Sequence, residues 1–263
     1  MKQKIYSYSK TILALILRDI FIFKANFLNN VIDIIIATSA QIIVFIYILP
    51  YFGLQADFGT FMLGGFVASS TFWQLYSFSA PLIADISGER KVSYELMLPI
   101  PAWLVFFRMM LSFMVQTIST TIFIIPLGKI FLRDQFNLAH ISIVKTAIMF
   151  IMGSLFVASF GIIIVSVVHH MSQISRVWTR FLSPLWMLGG YNFSWLSMYN
   201  MIPNIAYFAL LNPMIYVHEG FRAALLGQTG FIEVWICVPI LIIFSLLFSW
   251  VGICKIKKRL DCI

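Results

Sequence analysis

The sequence predicts an all-α integral membrane protein: six transmembrane helices, an amphipathic N-terminal interface helix, and a re-entrant outer segment before the last span. Three observations carry this expectation. Of the 263 residues, 61% are hydrophobic and only 11% are charged, against about 45–50% and about 25% in soluble domains. A water-soluble fold of this size could not hide that much apolar surface. Second, no Asp, Glu, Lys or Arg lies between Asp33 and Asp57, Asp57 and Asp85, Arg108 and Lys129, Lys145 and Arg176, Arg180 and Glu219, or Glu233 and Lys255. Each gap meets the ~20 residues that a helix needs to cross hydrocarbon, and in lipid a chain must satisfy its backbone internally. Third, fourteen of the 18 Lys and Arg residues fall on one side of such a six-span path. Only Lys129, Arg133, Lys145 and Arg222 fall on the other. Basic residues accumulate in cytoplasmic loops, so both termini are expected in the cytoplasm of a plasma (inner) membrane protein. The net charge of +8 has the same origin: basic residues flank apolar segments and form no separate nucleic-acid-binding face.

Taken in order, residues 1–28 come first. Ser7, Thr11, Ala14 and Arg18 recur at helical spacing and make a less apolar stripe, the pattern of a helix lying in the cytoplasmic interface. A ragged extension of the first span is the competing reading. Thr11 to Leu17 is too short for a secretory leader and ends in Arg18-Asp19. Spans are expected at roughly 30–52, 59–84, 102–127, 144–168, 178–198 and 232–254, all within one transmembrane domain covering 1–263. Pro99 and Pro101 close one element and open the third span. The uncharged stretch from Phe181 to His218 is too long for one span and too short for two. It holds Pro184, Gly189, Gly190, Asn192, Pro203, Asn204, Asn212 and Pro213, so residues 200–228 are expected to enter the outer leaflet without crossing it.

Signatures of chemistry are sparse. There is no GxxxxGK[ST], GxGxxG, HExxH or GxSxG motif. No catalytic, cofactor-binding or metal-ligating set emerges. His169-His170 lacks neighbouring acidic ligands, and Cys237, Cys254 and Cys262 form no CxxC pair. The span cores carry no ionisable relay of the kind a proton-coupled transporter uses, so energy for any transport is expected from outside the chain.

Two connections stand out. Residues 86–98 are short, charged at Glu89, Arg90 and Lys91, and apolar at Leu96 and Met97. A short helix here could present Tyr94, Glu95, Leu96 and Met97 to a partner, or could be a solvated turn anchored at the interface. Before the last span, Asn212-Pro213 is followed by Glu219 and Arg222, three apart on one helix face. They either shape an outer gate or simply hold a short helix.

These pieces together resemble the permease subunit of type-2 ABC exporters. The resemblance rests on the basic start with Leu17-Arg18-Asp19-Ile20, six spans in this length, and the Gly88-Glu89-Arg90 to Leu98-Pro99 loop. It also includes Asn212-Pro213 with Glu219 and Arg222. It implies a half-transporter that dimerises and binds a separate ATPase, which itself holds ATP and Mg. On that resemblance residues 86–98 are the coupling helix, with Glu89, Arg90, Lys91, Tyr94, Glu95, Leu96 and Met97 facing the ATPase. Asn212, Pro213, Glu219 and Arg222 are the outer gate. The family exports surface glycans, lipo-oligosaccharides and hydrophobic drugs. Trp73, Tyr76, Trp186, Tyr191, Trp195 and Tyr199 are candidates for a substrate path, because aromatic faces with hydroxyl or indole donors suit sugars beside lipid. An interfacial aromatic belt is the competing reading. An amphipathic glycan is the expected cargo, with a hydrophobic drug, or an ATP-independent transporter or channel, as the alternatives.

Overall fold

The computed structural model describes residues 2–53, 58–88 and 91–261. Among them the chain is all-helical. Four helical segments are long and apolar enough to cross a membrane: Lys10–Phe52, Ala102–Leu132, Ile143–Val167 and Val234–Leu260. The molecule is a membrane-embedded helical protein.

The first helix, α1 (Lys2–Ile42), does not stop near residue 28 as expected. Lys24 to Asn30 contains neither Pro nor Gly, so nothing in that stretch interrupts the helix. The chain leaves α1 through a π-helical turn, Ile43–Ile48, and a 3-10 turn, Leu49–Phe52, closed by left-handed Gly53. The second, α2 (Phe58–Ser87), is long but less apolar, and most of it is buried. It packs against α6, α11, α4 and α5 (ranges below) at the centre of the fold, where protein covers most of it. Gly, Ser and Thr are affordable in such a position because they let backbones approach.

A seven-residue helix, α3 (Lys91–Met97), follows. The expected third span is two helices, α4 (Ala102–Thr121) and α5 (Ile124–Leu132). Pro126 explains the break: it lacks an N–H and crowds the carbonyl of Ile122. α6 (Ile143–Val167) matches the expected fourth span closely.

The expected fifth span is not one helix. α7 (Met171–Val177), a π turn at Trp178–Leu182 and α8 (Ser183–Met187) form a continuous run that ends before Gly189-Gly190. A Cβ on Gly189 would sit 2.5 Å from that of Met214, and Gly190 is left-handed at φ 86°. The chain therefore turns where residues 190–198 were expected to finish the span. Short helices α9 (Trp195–Met201) and α10 (Pro203–Ala209) come next. α11 (Pro213–Leu225) then runs through the interior with every residue buried. α12 (Val234–Asp261) extends beyond the expected end at 254 and pairs most extensively with α6. The two backbones come close enough that a Cβ on Gly252 would lie 2.7 Å from Ile162 Cγ2 and 3.1 Å from its carbonyl carbon.

Candidate functional site

Two ionic junctions organise the molecule. The first lies where α1, α3 and α4 meet. Asp85, at the end of α2, accepts the Lys91 and Val92 amides on its two oxygens at 3.0 and 2.8 Å, which starts α3. Val92 and Glu95, three apart, then point inward. Glu95 Oε2 accepts from Arg108 Nη2 at 2.6 Å, and Oε1 pairs with Arg18 Nη2 at 2.7 Å. Asp19 closes the ring: it pairs with Arg108 and with Arg18, and it accepts from the Ser112 hydroxyl at 2.7 Å. Arg108 and Glu95 are almost completely buried, whereas Arg18 is about half exposed, at 46% of its side chain. Burying these charges is tolerable because each meets an opposite charge at hydrogen-bonding distance.

This corrects the expectation for the coupling segment. Glu95 faces the bundle and is not available to a partner. The exposed face of α3 is Lys91, Tyr94 and Met97, while Leu96 is half-buried against the core. Glu89 and Arg90 lie outside the described residues. Sequence reasoning singled out Arg18-Asp19, Glu95 and Arg108 separately but did not bring them together.

Beside this junction a cavity of about 820 Å³ runs between α1, α2 and α4. Its walls are apolar, including Phe23, Phe78 and Phe113, and Arg18, Asp19, Asp85, Glu95 and Arg108 form its charged end.

The second junction is centred on α11. Asn212 caps it by accepting the Met214 amide at 3.0 Å, and its own amide donates to the Leu185 carbonyl at 2.7 Å. Pro213 takes the first helical turn, where its missing N–H costs nothing. Arg222 is completely buried. It donates to the carbonyls of Gly190 (2.6 Å), Phe193 (3.0 Å), Tyr191 (2.6 Å) and Phe61 (3.4 Å), and its guanidinium carbon lies 3.8 Å from the centre of the Phe61 ring. Glu219 accepts the amides of Trp195 and Ile232, each at 3.1 Å, and sits 3.6 Å from Arg222. Gly64 and Gly65 open the notch in α2 that admits the guanidinium: a Cβ on Gly64 would lie 2.7 Å from Arg222 Cγ. Glu219 and Arg222 do share a helix face, but that face is interior. They hold the irregular chain between α8 and α9, whose backbone has no helix of its own to satisfy it.

The six aromatic candidates separate into two patches. Trp73, Tyr76, Trp186 and Tyr191 join through Trp178, which sequence reasoning missed. Centroid separations are 5.0 Å for Trp73–Trp178, 5.4 Å for Trp73–Trp186, 6.2 Å for Tyr76–Trp178 and 4.3 Å for Trp186–Tyr191. Tyr191 is buried, while Trp73 and Tyr76 are exposed at the edge of this wall. Trp195 and Tyr199 belong to a second patch, stacked at 5.3 Å, with Tyr207 added at 5.5 Å.

His218, also missed, accepts or donates at 3.2 Å to Ser69, whose hydroxyl accepts from the Trp186 indole at 2.8 Å. The Ser69–His218 pair has the spacing of a nucleophile and base, but both are sealed from solvent at 1% and 0% exposure. It ties α2, α8 and α11 together. No protein-family model, curated protein or solved structure matches the chain significantly.

Proposed function

We propose that the chain is the membrane permease of an ABC exporter of the type-2 class. It would work as a homodimer with a separate ATPase that binds ATP and Mg, and would move an amphipathic cargo, a surface glycan or lipid-linked saccharide, out of the cytoplasm. In this reading α2 and the α7–α8 run complete six crossings with the four long apolar helices, and α9 to α11 form the re-entrant segment. Both termini lie in the cytoplasm of the inner membrane.

The observation that carries the reading is the construction of α3. It is a short helix whose inward face is tied by Glu95 to α1 and α4, while Lys91, Tyr94 and Met97 point outward. A push on the outward face is delivered through a charged tie to two long helices, which is what a coupling element must do. The aromatic wall around Trp73, Tyr76, Trp178 and Trp186 supports an amphipathic cargo, since flat π faces bearing N–H and O–H groups bind sugars beside apolar surface.

The test is co-purification from membranes with an ATP-hydrolysing subunit. Tyr94→Asp with Met97→Asp should abolish both association and ATP hydrolysis while leaving the permease folded. Intact association in this double variant would remove α3 as the coupling element. A deletion strain separates cargo classes: lost surface glycan supports the glycan, and intact glycan with raised drug sensitivity supports a drug.

A further inference from the structure

The cavity between α1, α2 and α4 is amphipathic in a specific way. Its walls at Phe23, Phe78 and Phe113 are apolar, and α1 and α4 are both long apolar helices. The surface of α1 around it is equally apolar, with Leu17, Phe21 and Leu28 exposed. A cleft of about 820 Å³ falls in the ~300–1,000 Å³ range of small-molecule sites, and in a membrane protein a cleft with such surroundings opens to lipid.

Polar donors are arranged along one side. Its charged end is mixed: Arg18, Lys91 and Arg108 stand beside Asp19, Asp85 and Glu95, and Arg18, although paired with Asp19 and Glu95, keeps 46% of its side chain exposed. From there Arg108, Ser112 and Gln116 follow on α4 at intervals of four residues, all lining the cleft, so the polar row extends about 12 Å along the helix axis. Ser112 is engaged by Asp19. The half-buried Gln116 carboxamide lines the cleft and has no hydrogen-bond partner among the described residues. Arg108 Nε is likewise buried without a hydrogen-bond partner, although the rest of its guanidinium is paired. A carboxamide without a partner at hydrocarbon depth is costly, so its natural complement is an acceptor brought in by a ligand.

We propose that this cleft binds one membrane glycerophospholipid. Its phosphate sits at Arg18 and Lys91, an ester carbonyl accepts from Gln116, and one acyl chain lies along Phe23, Phe78 and Phe113. Each part of such a lipid meets a matching surface. A phosphate adds to cationic side chains that stay exposed while they hold their protein partners, as Arg18 does. The ester region, one step deeper, offers acceptors without charge, and the hydrocarbon tail covers aromatic walls. A bare hydrocarbon would leave Gln116 unanswered, and a free phosphate would leave the apolar walls open. The site stands independently of the transport reading, since it needs only that α1 and α4 face lipid.

The test uses the full-length chain in nanodiscs doped with phosphatidylglycerol that carries a diazirine near the end of one acyl chain. Labelled peptides are mapped and normalised to labelling around Trp250, which lies exposed on α12. Peptides containing Phe78 and Phe113 should label strongly. Arg18→Gln should reduce that labelling about tenfold, the worth of one charge-assisted hydrogen bond. Ser77→Trp, from an exposed position on α2 that lines the cleft, should fill the space and remove the labelling. A diacylglycerol probe with the same chains should label no better than the filled variant. The proposal is overturned if labelling survives Ser77→Trp or Arg18→Gln. It is equally overturned if diacylglycerol labels as well as the phospholipid. A photoreactive residue at position 77 that captures a second copy of the chain instead of lipid would also overturn it.

Discussion

The two ionic junctions use similar residues in opposite ways. Around α11 the charges are spent on backbone: Arg222 on four carbonyls and Glu219 on two amides. Around α3 they are spent mainly on each other, with Arg18, Asp19, Glu95 and Arg108 drawn from three helices. The first arrangement substitutes for missing secondary structure, and both its charges are fully enclosed. The second links elements that are each already satisfied, and one of its members is half exposed beside a cleft. A junction that replaces backbone hydrogen bonds is structural, because nothing near it is stable without it. A junction between finished helices can be rearranged, because each helix survives its loss.

The comparison is broken most directly at Arg222. Arg222→Met leaves three carbonyls at Gly190, Tyr191 and Phe193 without donors and leaves Glu219 buried beside no cation. The loss should be about 3–5 kcal/mol or more, enough that detergent-solubilised protein fails to give a monodisperse size-exclusion peak. Arg222→Lys should not rescue it, because one ammonium cannot replace a planar fork that reaches carbonyls on several sides.

Glu95→Ala is the parallel cut in the second junction. It strands the buried Arg108 with Asp19 alone and should lower stability by roughly 3 kcal/mol, read as a lower thermal midpoint of a protein that still folds. Glu95→Gln should recover part of that, since its carbonyl still accepts from Arg108. A Glu95→Ala protein as damaged as Arg222→Met would erase the distinction between the two junctions.

The smallest effect is expected at Arg18. Its own side chain is about half exposed while its partners are mostly buried; both carboxylates keep Arg108 when Arg18 is removed, so the loss should stay near the roughly 0–1 kcal/mol of solvent-exposed pairs. Arg18→Ala should therefore shift the thermal midpoint little, while reducing phospholipid labelling of the cleft. A large destabilisation would make Arg18 a structural member of its junction.

Four of the six charge-free stretches were legible as long apolar helices, because charge avoidance over about 20 residues has few other causes. Asn212-Pro213 was singled out as part of an outer gate; that it caps α11 is seen in the structure. Three things were not legible. The continuity of α1 past residue 28 was obscured because a polar stripe looks like an interface helix whether or not the helix continues. The end of the α7–α8 run at Gly189-Gly190 was hidden by the absence of charge: the stretch is apolar enough to suggest a span, yet it turns where Met214 crowds it. The burial of Glu219 and Arg222 was least visible. A sequence reading treats charge as a marker of aqueous ends, and the groups that satisfy these two side chains come from residues 61, 190–195 and 232. Likewise Arg18 and Glu95 are 77 positions apart, so their pairing is a property of helix packing and not of either local pattern.

The far end of α12 sets a timetable for assembly. Arg259 reaches back to the carbonyls of Val165, Val168 and His169 at 2.9–3.1 Å, where α6 runs out of helical donors of its own. Chains are made from the N-terminus, so α6 enters the bilayer some ninety residues before the side chain that finishes its terminus exists. Until then its last carbonyls depend on water or lipid headgroups, and the face that will meet α12 has no permanent neighbour. Completion of α6 thus waits for the synthesis of α12, and Arg259 acts as its latch.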